Sequence, residues 1–380
     1  MLATLAMATR SASTASHFVH SALDDSEQQI RLLKLHPGPS ESEIRCDIST
    51  YSIEESPPYI ALSYTWGNPL PTHNILLNSR TCLVRGNLFN FLDTFRNDCT
   101  NIKHLWIDYI CIDQSNVRER NHQVQLMGSI YRNCTFVITW LGSDPIQVAG
   151  AKQYLITDDV EDLRLLLNND YFQRLWIVQE VLLAPEVRIF CGHVWISEAD
   201  ICTFVRSRTS SGLPRAAKSL FGERSLASRI KQYGAPEQLS RSLSKYLRNY
   251  SASHCDDPRD KVYGILGLVP LANIEIDYAK SKEAVYLDTI TSLAAEYIRT
   301  SRFPDPKGLP FLSSAVALAL NMSLKPSVAF PAMIVVLTKY WAIADTPSVF
   351  EISFHCALID WKYGEKPPPK KGLWSRSQAC

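Results

Sequence analysis

The chain has 380 residues, 46% hydrophobic and 20% charged, with 39 basic and 38 acidic side chains giving a formal net charge of +1. Totals of this kind belong to a folded chain with room for two domains, or for one large α/β domain with extensions. A balanced charge gives no electrostatic reason to expect DNA, RNA or an anionic membrane as the main partner. The ten cysteines are scattered with no Cys-x-x-Cys pair, which argues against a structural zinc site, and no metal site is expected. With no signal peptide in view, reduced thiols and a cytoplasmic location are expected.

The first residues, rich in Ser, Ala and Thr with a single Arg, read as a disordered tail over 1–28. Ile30 to Leu35 reads as a short strand ended by Pro37 and Gly38. Tyr59 to Trp66 (YIALSYTW) is a mostly apolar strand stopped by Gly67-Asn68-Pro69, which is turn chemistry directly after a buried strand. His73 to Leu77 and Thr81 to Val84 flank Asn78-Ser79-Arg80 and form a small hairpin. Asn87 to Phe95 carries Leu88, Phe91, Leu92 and Phe95, the stripe of an amphipathic helix.

His104 to Ile112 (HLWIDYICI) reads as a second buried strand, with a helix opening near Ser115 on Val117, Val124, Met127 and Tyr131. Thr135 to Leu141 (TFVITWL) is a third, closed by Gly142. A polar stretch from Ser143 to Asp159 precedes two short helices, the second capped by Asp170 and stopped at Pro185. Glu186 to Cys191 and Val194 to Ser197 form a hairpin about Gly192-His193. Residues 206–255 are Ser/Arg-rich and helical in parts; Asp257-Pro258-Arg259-Asp260 opens a helix that Gly267 can end, and Glu283 to Ile298 is amphipathic. Beyond Arg302 the pattern dissolves, and the chain nowhere presents the ~18 uncharged apolar residues of a membrane span. Strand, helix, strand, helix with continuous apolar strands predicts an α/β fold with a parallel sheet covered on both faces.

Several residues could carry chemistry. Trp176 and Glu180 stand four apart in a helix-forming run and so share a helical face. An indole beside a carboxyl can raise its pKa by desolvation and hold a flat ligand; the ordinary alternative is a ring in the core and an acid in water, paired with Arg174 or Arg188. Tyr64, Trp66 and Gly67 end the first strong strand, and ligands of open parallel sheets bind at that edge. There an aromatic could stack on a base and Gly67 could admit a phosphate, or the rings could simply close the core. Asp108 interrupts an apolar strand and needs a partner, either backbone at the strand end or the pocket, while Asp113 and Gln114 could line the same edge. Cys111 with His122 or His104 makes no thiol-hydrolase motif, and Arg259 and Asp260 read as ion pairs of a helix cap.

Four segments recur here in a characteristic order: YIALSYTWG (59–67), LWIDYICIDQSNVRERNHQVQLMGSIY (105–131) with VITWLG (137–142), YFQRLWIVQE (171–180), and DPRDKVYGILGLV (257–269). In these the chain resembles the fungal heterokaryon incompatibility (HET) domain proteins. The resemblance covers about 59–192 and implies a HET domain at 29–200, a mainly helical associated region at 201–302, and a divergent tail at 303–380 unlike the family's usual continuation. It implies a role in fungal non-self recognition ending in growth arrest or programmed cell death, through homo-oligomerisation and an unknown incompatibility partner protein. HET domains are also similar to Toll/interleukin-1 receptor (TIR) domains, of flavodoxin-like fold, some of which cleave NAD at its glycosidic bond. The TIR catalytic glutamate lies four residues after a Trp, in a helix that follows a buried strand. By that resemblance Glu180 becomes a catalytic carboxylate, Tyr64, Trp66, Gly67, Asp108 and Trp176 become pocket residues, and NAD becomes a candidate substrate, with no resident cofactor.

Overall fold

A computed structural model of the chain describes residues 16–24, 26–39, 42–206, 213, 215–232, 242–300, 316 and 320. The expected tail at 303–380 lies almost wholly outside these, as do the first fifteen residues. The chain divides into two compact units. The first takes in 1–238 with 253–255 and 276–278; the second takes in 239–252, 256–275 and the residues from 279 onward.

Among the described residues the first unit is built on nine strands. These are β1 (Gln29–Leu35), β2 (Arg45–Ser52), β3 (Tyr59–Tyr64), β4 (Thr72–Leu77), β5 (Arg80–Arg85), β6 (His104–Trp106), β7 (Val137–Trp140), β8 (Val187–Cys191) and β9 (Val194–Ser197). They form one sheet in the order β5-β4-β2-β1-β6-β3-β7-β8-β9. The centre is parallel, with β3 between β6 and β7, and β8 beyond β7. Taken in chain order those four strands lie 2-1-3-4, the opening of the flavodoxin-like doubly wound order.

The whole sheet is mixed rather than parallel, and the reason lies in the connections. Hairpins at both ends add antiparallel strands, β9 on β8 and β5 on β4, while β1 runs antiparallel to both β6 and β2. A two-residue turn can only return the chain antiparallel, whereas a parallel neighbour needs a long crossover. At Asn78 and Ser79 both φ values are positive (48° and 63°), as a type I′ hairpin requires. At Gly192 (φ 55°) a Cβ would lie 2.7 Å from Val148 Cγ2, so close packing as well as the turn calls for glycine there.

Helices cover both faces. The stripe expected at 87–95 is α1 (Gly86–Phe95), which buries Leu88, Phe91, Leu92 and Phe95 against Leu62, Tyr64, Ile138, Trp140 and Phe190. The HLWIDYICI run yields only a three-residue strand. After Ile107 the chain turns into α2 (Asp108–Cys111), closing Ile107 O onto the amides of Ile110 and Cys111. α3 (Val117–Asn133) is capped by Asn116, whose side chain accepts from the Glu119 amide. It covers the opposite face, where Tyr59 donates to Ile130 O and Trp106 meets Tyr131 edge-on.

The stretch read as polar, Ser143 to Asp159, contains α4 (Pro145–Thr157), capped by Asp144 and followed by α5 (Val160–Leu167). Its apolar residues are spread around the axis, with Tyr154 buried and Ile146 and Ile156 exposed, so no stripe announces it. A 3-10 turn (Asp170–Gln173), capped by Asn169 and not by Asp170, leads into α6 (Ile177–Leu183). α7 (Glu198–Arg206) and α8 (Arg215–Gln232) complete the unit.

In the second unit α9 (Leu243–Tyr250) starts at Ser242, and Glu296 of α11 (Lys282–Thr300) accepts from the Leu243 amide at 2.6 Å. α10 (Asp260–Leu266) follows the DPRD run, where Asp257 holds Arg259 at 2.6 Å. Among the described residues no helix is long and apolar enough to cross a membrane.

Candidate functional site

The carboxyl edge of β3, β6 and β7 is where the sequence placed its candidates, and the pleat divides them between two faces. Ser63 pairs with Thr139 and Tyr64 with Trp140. Successive side chains alternate, so Tyr64 and Trp140 join the α1 core while Ser63 and Thr139 face α3 and α6.

Glu180 enters that second face from α6 and is 3% exposed. Ser63 Oγ donates to its Oε2, and the same hydroxyl lies 2.5 Å from Tyr171 Oη, which in turn is 3.2 Å from Thr139 Oγ1. Arg174, in the extended link between the 3-10 turn and α6, brings Nη1 to 3.8 Å from Glu180 Oε2. Burial pushes the Glu180 carboxyl up to about 7; the Arg174 charge and the Ser63 hydrogen bond pull against burial, and Asp108 adds to it. Tyr171 and Tyr131 are pushed up by burial and by the same carboxylate. Of the two arginines weighed as partners for Glu180 it is Arg174 that is near, because Arg188 is bonded to Glu186 at 2.6 Å and stacks on Phe136.

The strand-end residues form a second group. Trp66 Nε1 donates to Asp108 Oδ2 at 2.9 Å, and the Tyr109 amide donates to Oδ1 at 2.7 Å. Asp108 therefore takes the backbone bond expected at the strand end, together with a hydrogen bond from the Trp66 indole. Burial raises its carboxyl, opposed by Trp66, Arg174 and the Tyr109 amide. Trp66 meets Tyr109 edge-on at 5.3 Å, and the Arg85 guanidinium lies 5.1 Å from its ring centre while bonding Gly67 O. Gly67 has φ 72°, a conformation that only glycine adopts freely. Gln114 donates to Asp108 O, but Asp113 is bonded to Ser115 in its own turn.

Trp176 is half-buried and sits at the N-cap of α6. Its carbonyl accepts the Glu180 amide at 3.3 Å, so the four-residue spacing is expressed in the backbone, while the Glu180 carboxylate turns inward to Ser63 and Arg174. Among the described residues, Tyr64 Oη, Trp106 Nε1 and Arg174 Nη1 are buried polar atoms of this region that lack a hydrogen-bond partner. Cys111 is buried with its thiol pushed up to about 12 by desolvation, the opposite of what a thiolate nucleophile needs.

Ser63, Tyr171 and Arg224 carry parts of the arrangement that sequence reasoning did not assign. Ser63 was visible as the one polar residue of YIALSY. Arg224 of α8 left no signal; buried, it donates to Val181 O at 2.5 Å and Ala184 O at 2.9 Å while ion-paired with Glu198. A seven-residue helix leaves its last carbonyls without partners, so Arg224 fixes the end of the helix that carries Glu180. A cleft of about 800 Å³ lies elsewhere, where β8 begins, lined by Glu186, Arg188, Trp195, Glu198 and Arg206. It opens at the amino end of the parallel strands, the edge opposite the candidate residues.

Residues 59–157 match the family described as Heterokaryon incompatibility protein (HET). The chain is 28% identical over 369 residues to Heterokaryon incompatibility protein 6, OR allele, of Neurospora crassa, an alignment covering 74% of this chain and 52% of that protein. The chain thus spans about half the length of that curated relative. No solved structure matches. The matched segment runs from β3 to the end of α4 and takes in Tyr64, Trp66, Gly67 and Asp108; Trp176 and Glu180 follow it. The stretch that matches the heterokaryon incompatibility (HET) family is thus seated on the strands and edge described above.

Proposed function

We propose that the chain acts in fungal heterokaryon incompatibility, as a module that self-associates through its HET domain and drives growth arrest or cell death when an incompatibility partner is met. The match of residues 59–157 to the HET family carries this reading. The Neurospora relative, named for heterokaryon incompatibility, supports it. The experiment is expression in a fungal host with growth scored beside sedimentation of the purified chain. Arrest that tracks a concentration-dependent oligomer supports the reading; arrest by a strictly monomeric chain contradicts self-association, and unimpaired growth with every partner contradicts the role.

A second reading has a specific observation behind it, the buried Glu180 carboxyl with its pKa near 7 under the carboxyl edge of a 2-1-3-4 sheet. On this reading the domain is TIR-like and hydrolyses NAD to nicotinamide and ADP-ribose. The C1′–N bond breaks with its electron pair leaving on nicotinamide, water adds to C1′, and one proton is released. Nicotinamide is a good leaving group, so the demand on the protein is electrostatic: a carboxylate beside the developing oxocarbenium ion, or holding the ribose hydroxyls. Glu180 fills that role, with Trp66 and Trp176 framing the ligand and Tyr64, Gly67 and Asp108 at the strand ends. The two readings are compatible, since assembly can complete an enzyme site.

A further inference from the structure

The helix that carries Glu180, α6, has seven residues. A helix that short gains little from its own hydrogen bonds, so its position is set from outside. Arg224 holds its far end at Val181 O and Ala184 O. Its near end is held by residues 253–255. The His254 amide donates to Gln173 O at 2.6 Å, and the Leu175 amide donates to His254 O at 2.8 Å. His254 thus lies parallel to Arg174 as a one-residue strand. These bonds run through the backbone: His254 itself is exposed, Ser253 beside it is buried, and Leu175 is 1% exposed. Residues 253–255 group with the first unit, although the chain on either side of them groups with the second.

We propose that residues 253–255 are a latch that positions Glu180, by clamping the link 173–175 from which α6 starts. The two bonds flank Arg174, one taken by the carbonyl before it and one given by the amide after it, so the link cannot turn about that residue. Leu175 passes the restraint on. Its amide is latched while its carbonyl accepts the Val178 amide at 3.0 Å, and the next carbonyl, of Trp176, accepts the Glu180 amide. A slip of the link therefore moves the first turn of the helix and draws the Glu180 carboxylate off Ser63. Both holds on α6 lie beyond the matched residues 59–157 and beyond the boundary expected at 200. A HET domain ending at 200 would carry Glu180 and lack both. The proposal rests on the reading of Glu180 as a working residue only for what the carboxylate is used for; the latch belongs to the folded chain.

The test compares the full chain with His254→Pro, which has no N–H for Gln173 O, and with His254→Ala, which keeps it. Two quantities are followed without substrate. One is hydrogen exchange at the Leu175, Val178 and Glu180 amides. The other is carbodiimide-driven amine labelling of Glu180, located by peptide mass, with the equally buried Glu119 as internal control. His254→Pro should speed the exchange and the Glu180 labelling together by roughly tenfold, the factor that one ordinary hydrogen bond carries. Glu119 should label as in the parent, and His254→Ala should match the parent throughout. Unchanged exchange in a folded His254→Pro, or faster exchange with Glu180 labelling unmoved, overturns the proposal. So does equal acceleration at Glu119, which marks general unfolding. If the proline variant does not fold, exchange of the parent in rising denaturant decides. His254, Leu175 and Glu180 amides opening in one step support the latch, and a His254 amide that opens well before the other two refutes it. Nicotinamide release is scored separately. A latch without release stands and removes the NAD reading; release without a latch does the reverse.

Discussion

Arg31 and Glu119 form a buried ion pair joined by two hydrogen bonds, and breaking it from one side should cost more than removing it whole. The two side chains are 2% and 5% exposed. Arg31 reaches Glu119 through Nη1 at 2.6 Å and Nη2 at 2.9 Å, and the same two nitrogens also donate to Cys111 O and Ser21 O. Glu119 also accepts the Asp113 amide at 2.7 Å. The pair ties α3, the end of α2 and the segment before β1 onto β1. Arg31→Met leaves a buried carboxylate with that amide as its main support, a loss of about 3–5 kcal/mol; replacing both partners with apolar residues of similar volume should recover most of it. For a unit of this size the single variant should melt roughly 6–20 °C lower. The assay is thermal unfolding followed by circular dichroism for parent, Arg31→Met, Glu119→Leu and the double variant. A single variant within about 1 kcal/mol of the parent, or a double variant no better than the worse single, would refute the reasoning. The pH dependence has a definite sign. Glu119 sits below its ordinary value of 4.5 because, against the pull of burial, Arg31 and the Asp113 amide favour its charged form. Its contribution is complete above 4.5 and is lost as pH falls below that value, so Glu119→Gln and parent should converge in stability there.

Glu180 carries the opposite sign. Its carboxyl is raised from 4.5 to about 7, so the folded chain binds the extra proton between those values and the parent should lose on the order of 3 kcal/mol across that window; Glu180→Gln should show a flatter profile in denaturant melts from pH 5 to 8. Gly192→Ala should cost about 2–4 kcal/mol, since the added Cβ meets Val148 at 2.7 Å in a left-handed turn; an unchanged melting temperature would contradict that packing. Phe91→Ala, in the α1 core and fully buried, should cost about 3–5 kcal/mol by the same measurement. Arg224→Met should loosen the end of α6, read as faster hydrogen exchange at Leu183 and Ala184 than in the parent; equal rates would contradict the capping role.

What the sequence disclosed and what it hid follow a physical line. β3, β7, α1 and both short hairpins were legible because each is a local pattern, an apolar run or a 3.6-residue stripe bounded by Gly, Pro or Asn. β2 alternates Cys46 and Ile48 with polar neighbours, a period-two signal that its many charged and hydroxyl residues obscured. HLWIDYICI failed as a continuous strand because apolar runs do not distinguish a strand from a buried helical turn, and here Asp108 begins that turn. α4 was missed because it lacks a stripe. Glu180 and Trp66 could be singled out as chemistry-bearing residues at strand and helix ends. Arg174 beside Glu180 and Asp108 beside Trp66 were in view as well, but Ser63, Tyr171 and Arg224 were not, because they join the arrangement only through contacts spanning 43 to 117 residues of chain. β3 and β7 are buried on both faces, so their sequences carry no apolar/polar alternation to say which face each side chain takes.

The most direct test of a working site at Glu180 is nicotinamide release from NAD by the purified chain, at concentrations that permit self-association, beside Glu180→Ala with matched circular dichroism. Release by the parent and none by the variant is the predicted result, with Ser63, Arg174 and Glu180 then acting on a substrate at the carboxyl edge of the sheet. No release by either, or equal release by both, would contradict it and return Glu180 to the role of a buried acid that fastens α6 to β3.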